Sequence, residues 1–133
     1  MSKYDAKLNK KEKELISVIL SRSEDKNDKR GAVLDWKELS KLGFQSLKTK
    51  EQMRSLTDKI LKQKVAFLVE KGHYDVEIVV FPVITKCRIM DDKKGGWTVM
   101  FSVSHDVLAR NVKGFARIEA QNKLVDRYLA LAA

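Results

Sequence analysis

Residues 35–61, DWKELSKLGFQSLKTKEQMRSLTDKIL, contain two helix starts and one helix stop. In Asp35-Trp36-Lys37-Glu38 a capping side chain is followed three residues later by a glutamate, the spacing at which each group satisfies the other's free amide. The short helix that begins there runs through Leu39 and Leu42 and stops at Gly43, the residue that most easily takes a left-handed conformation. Thr49-Lys50-Glu51-Gln52 repeats the capping signature. Behind it Met53, Leu56, Ile60 and Leu61 fall on one helical face, with Glu51, Arg54, Ser55, Asp58 and Lys62 opposite. Two capped helices joined by a brief turn with a glycine form a helix-turn-helix pattern.

Upstream, Asn9-Lys10-Lys11-Glu12 is another capping box, and Leu15, Ile16, Ile19 and Leu20 follow it, which predicts a helix from about Asn9 to Ser23. The polar stretch from Ser23 to Gly31 reads as a solvated loop, and Ala32 to Leu34 as an isolated edge strand leading into the next helix. Downstream, Val65 to Val69 and Val76 to Phe81 are β-rich runs around the turn at Lys71-Gly72-His73-Tyr74-Asp75, with Pro82 ending the second. Val83 to Met90 and the alternating Trp97, Val99, Phe101 and Val103 make a second hairpin around Asp91-Asp92-Lys93-Lys94-Gly95-Gly96. Three helices followed by hairpins predict an α+β fold of the winged-helix type over residues 1–112. Ser104 is expected to cap a short helix holding Val107, Leu108 and Val112. Residues 113–133 read as a C-terminal helix in which Leu124, Tyr128 and Leu131 recur. That helix serves core packing, a connector to another domain or a partner-binding surface.

The chain has 133 residues and a formal net charge of +9. Residues 1–64 hold 17 of the 27 Lys and Arg and 10 of the 18 Asp and Glu, so most of the positive field belongs to the first half. Such asymmetry suits a polyanion, through counterion release, and also serves solubility. No apolar run reaches the length of a membrane span, and no apolar core of a signal peptide follows Met1, so a cytoplasmic protein without membrane contact is expected. Cys87 has no cysteine to pair with, and with only His73 and His105 beside it a structural zinc lacks ligands. Neither histidine accompanies a nucleophile motif, and no glycine-rich phosphate loop occurs, so neither enzymatic activity nor a cofactor or small-molecule substrate is expected. Asp91 and Asp92 are ordinary turn residues before they are metal ligands. Cys87 reads as a core filler, and Trp36 and Trp97 as core anchors.

The order Leu8-Asn9-Lys10-Lys11-Glu12, the Asp35 to Leu42 helix, the long helix ending Leu61-Lys62-Gln63-Lys64-Val65, and the hairpin closing on Trp97-Thr98-Val99-Met100-Phe101-Ser102 resemble the plasmid replication initiators called Rep proteins. The resemblance covers roughly residues 8 to 112 and points to their N-terminal winged-helix domain. It implies binding to repeated double-stranded DNA sites at a replication origin, and homodimer formation. It also implies a second winged helix, which residues 113–133 do not supply, nor do they match the family's usual stretch leading to Leu-Tyr-Glu-Leu. The expectation is a fragment of a longer initiator or a stand-alone relative. A winged-helix transcription regulator and a module used only for protein assembly are the alternatives.

With DNA as partner, chemistry assigns the roles. The third helix presents free amides and a positive dipole beside Thr49 and Lys50, where a phosphate can settle. Gln52 and Arg54 carry the side chains able to make bidentate contacts to adenine and guanine, although Gln52 also completes the capping box. Lys59 and Lys62 read as phosphate contacts or solvated charges. In the wing, alternation sets Lys86 and Arg88 on one face, opposite Thr85, Cys87 and Ile89, with Lys93 and Lys94 at the tip. Basic residues on an edge strand also guard against sheet aggregation.

Overall fold

The capping residues start three helices where their spacing predicts. In a computed structural model, which describes residues 2–23, 30–92 and 96–132, α1 spans Lys10–Arg22. Asn9 Oδ1 accepts from the Glu12 amide at 2.9 Å while the Glu12 carboxylate accepts from the Asn9 amide at 2.8 Å. Asp35 caps α2 (Trp36–Lys41) by accepting from the Glu38 amide at 2.8 Å, and Gly43 takes φ +99° just beyond it. The Glu38 carboxylate pairs with Arg22 and so ties α2 to the end of α1. Thr49 and Gln52 form the reciprocal box at the start of α3 (Lys50–Leu61).

The strands are β1 (Gly31–Asp35), β2 (Lys64–Lys71), β3 (Asp75–Pro82), β4 (Ile84–Asp92) and β5 (Gly96–Val103), all paired antiparallel. They form two sheets, of order β1-β5-β4 and β2-β3. The first strand is therefore not isolated: it runs along β5 from Gly31 opposite Ser102 to Asp35 opposite Thr98. A Cβ at Gly31 would collide with the Phe101 main-chain carbonyl, so glycine permits this close approach.

One core joins these elements. Leu15, Ile16, Ile19 and Leu20 of α1 and Met53, Leu56 and Ile60 of α3 meet Ala32, Leu34, Val99, Phe101 and Val103 from the larger sheet. Periodicity of 3.6 in the helices and of 2 in β5 brings these residues to one side of each element. The short helix α4 (His105–Ala109) adds Val107 and Leu108, with Ser104 at the cap position but without the predicted side-chain cap bond. Arg110, which follows α4, lies over the Phe67 and Phe81 rings at 5.0 and 5.1 Å and fastens the β2-β3 hairpin.

The last helix, α5 (Phe115–Ala132), turns a different face inward from the Leu124, Tyr128 and Leu131 series. Phe115, Ile118, Asn122 and Val125 are its buried residues, while Leu124 is 48% and Leu131 88% exposed. Asn122 sits in this buried row because of β2. Its Oδ1 accepts from the Ala66 amide at 2.8 Å and its Nδ2 donates to the Lys64 carbonyl at 3.1 Å. The side chain thus supplies the donor and the acceptor that a neighbouring strand would have offered. Asp5 Oδ1 accepts from the same Nδ2 at 2.8 Å, and the Lys64 amide donates to the Tyr4 carbonyl, so the N-terminal segment and α5 together cover the first residues of this edge.

Candidate nucleic-acid interface

The amino end of α3 is exposed from Lys48 to Gln52. Thr49 Oγ1 accepts from the Gln52 amide at 3.2 Å, which leaves its hydroxyl proton available. Lys50 extends beside it with no ion pair among the described residues. Gln52 Oε1 accepts from the Lys48 and Thr49 amides at 2.7 and 3.0 Å. A bidentate contact to adenine needs that oxygen as well as the nitrogen, so base reading by Gln52 requires the cap to open. The Arg54 side chain is exposed and makes no hydrogen bond or ion pair among the described residues, as is true of the Lys62 side chain. Lys59 differs: its ammonium lies 3.5 Å from the carboxylate of buried Glu12, which ties α3 to the start of α1. Its charge is engaged within the fold.

The outward face of α3 is mixed in sign, since exposed Glu51 and Asp58 stand among Lys50, Arg54 and Lys62. Such a face offers a phosphate backbone less attraction than the overall net charge suggests.

The strand that carries the second basic set packs against α3. Cys87 and Ile89 are half-buried against the core, while Lys86, Arg88 and Met90 are exposed. Alternation therefore turns Lys86 and Arg88 away from α3, on the other side of the sheet. One flat ligand surface cannot engage both sets at their side-chain tips. Thr85 departs from the predicted alternation, because a register shift between Ile84 and Lys86 leaves it exposed next to Lys86. Lys93 and Lys94 lie outside the described residues.

Burial of Cys87, and secondarily the negative charge of Asp58, pushes its thiol up from 9.0 to about 12. This fits a packing role. His73 is in the β2-β3 turn beside Tyr74 and His105 opens α4, both exposed. Among the described residues no group of three or more His, Cys, Asp or Glu could hold a metal ion, and no helix is long and apolar enough to cross a membrane.

The tryptophans correct the sequence reading. Trp36 is 48% exposed and Trp97 only half-buried, and both line a half-open cavity of about 210 Å³ between α2, the turn after it and the start of β5. Trp97 Nε1 donates to the Lys48 carbonyl at 3.3 Å. Nothing in the local pattern of either tryptophan could have disclosed this, because the cavity is made by segments sixty residues apart in the chain.

No family model, characterised protein or solved structure matches this chain.

Proposed function

We propose that the chain is a double-stranded DNA-binding and dimerisation domain of a plasmid-type replication initiator, acting at origin repeats. The observation that carries this reading is the wiring. A helix, an edge strand, two further helices and then a hairpin whose second strand pairs with that edge strand, in the order β1-β5-β4, is the arrangement expected of a winged helix. The β2-β3 hairpin is then an insertion between the third helix and the wing. The cationic first half and the uncommitted Lys50, Arg54 and Lys62 supply the electrostatic part. A transcription regulator would share these features and differ in its target, a palindrome in place of direct repeats.

The test is fluorescence anisotropy with duplex DNA at several salt concentrations. Affinity of about micromolar or weaker at physiological salt, falling steeply as salt rises, is expected of one small helix-turn-helix unit. Absence of binding at low salt removes the reading.

Assembly without DNA is the second reading, and the mixed charge of the α3 face favours it together with the outer edge of β3. Since the Ala66 amide faces Asn122, Val65, Phe67 and Val69 bond to β3 and their partners are Phe81, Val79 and Glu77. The main-chain groups of Val76, Ile78 and Val80 therefore point outward, and among the described residues no strand covers them. Val76 and Val80 are also 39% and 41% exposed. An open apolar strand of this kind suits a second copy of the chain.

A further inference from the structure

Both tryptophans of the chain line the same cavity, far from the β3 edge and on the flank of α3's amino end. Buried Leu39, Phe44 and Met53 form its floor, Trp36 and Trp97 its walls, and among the described residues Lys48 is the one charged residue that lines it. No carboxylate of the described residues does. The bond from Trp97 Nε1 to the Lys48 carbonyl satisfies that indole's only donor and fixes its orientation, so what the ring offers the cavity is apolar surface. Trp36 gains no such burial, and leaving about half of an indole in water forgoes part of the transfer free energy that such a ring ordinarily contributes.

We propose that this cavity is a binding site for a small planar aromatic acid. Two indole walls select a flat ring, which gains from offset or edge-to-face contact with both. The volume of about 210 Å³ holds one compact ring system. The sign of the ligand follows from the rim. Lys48 attracts an anionic substituent, and the first turn of α3, capped at Thr49, adds its positive dipole end nearby. An aromatic cation meets the same indole walls but an opposing charge at the mouth. The site adjoins the DNA surface proposed above at the amino end of α3 but needs no nucleic acid, so its test is independent of that reading.

Naphthalene-2-carboxylate and naphthalen-2-ylmethylammonium share a ring and differ in charge, and their binding is read from the two indole N–H resonances in ¹H–¹⁵N spectra of the full chain. The carboxylate should shift both resonances saturably with an affinity of about millimolar, the range for a fragment of this size. It should bind about fivefold more tightly than the ammonium, the scale that an exposed ion pair and a helix end supply together. Lys48→Gln should remove most of that preference and keep the ring contact. Trp36→Ala, at a position already half in solvent, should weaken both probes about tenfold while the other amide resonances stay in place. Indole resonances that do not move, equal affinity for the two probes, or full affinity in Trp36→Ala would each overturn the proposal.

Discussion

Arg54 and Lys62 occupy the same exposed helix but should fail differently when removed. Arg54 stands one turn into α3 with its guanidinium uncommitted, within reach of a groove floor if that helix docks. Arg54→Ala should therefore cost roughly 1–3 kcal/mol of discrimination between a specific site and random DNA. Lys62→Ala should weaken both alike and lower the salt slope by about one. Anisotropy titrations of the two variants decide it, and equal losses on both DNAs would mean that α3 does not read sequence. The Cys87 thiol makes a prediction of its own. Well below 9.0 the thiol is protonated in the folded and unfolded chain alike, and as pH nears 9.0 the unfolded chain begins to carry thiolate. Between 9.0 and about 12 the unfolded chain releases a proton that the folded chain keeps, so this group lowers stability as pH rises through that window. Alkylation by iodoacetamide at pH 8.5 should accordingly be orders of magnitude slower in the native protein than in urea, as followed by mass spectrometry. Asn122 is the third test. Asn122→Ala leaves the buried Ala66 amide without its partner, while the Lys64 carbonyl keeps its bond from Gln63 Nε2, and urea denaturation should show a loss of about 1–3 kcal/mol.

Among the elements, β3 carries the clearest expectation. If two copies pair along it, Val80→Lys places like charges across the junction, and sedimentation velocity should show a dimer at high concentration for the parent chain and a monomer for the variant. A parent chain that stays monomeric throughout the micromolar range would end the edge-pairing idea. The elements also differ in how plainly the sequence announced them. The starts of α1, α2 and α3 were legible because a cap is a bond between residues three apart. The division into two sheets was not, since pairing between β1 and β5 joins residues about seventy positions apart and no local pattern encodes it. In α5 the most regular apolar series is not the buried one, and the reason is definite. An asparagine interrupts the true inward row of Phe115, Ile118 and Val125, so Leu124, Tyr128 and Leu131 stand out as the more regular apolar series. Only the edge of β2 explains why an amide belongs inside.

Across the whole molecule, the sequence disclosed the candidate site as a set of residues but not as an arrangement. Thr49, Lys50, Gln52 and Arg54 do gather at the amino end of α3. That Gln52 is occupied by its own cap and Lys59 by Glu12 depends on rotamers and on a neighbouring helix, which spacing cannot supply. The separation of Lys86 and Arg88 from α3 follows from which face of β4 that helix covers, a fact of packing and not of alternation. The amide of Asn122 bears on assembly as well as on stability. It covers the Lys64–Ala66 end of the outer edge of β2 from within the chain, while among the described residues no strand covers the outer edge of β3. A sheet with two open borders can add copies at either end and grow into a filament, whereas here one border is partly occupied and β3 offers the freer edge. Two copies that meet antiparallel along β3 use the same edge on both, so association through that edge closes at two.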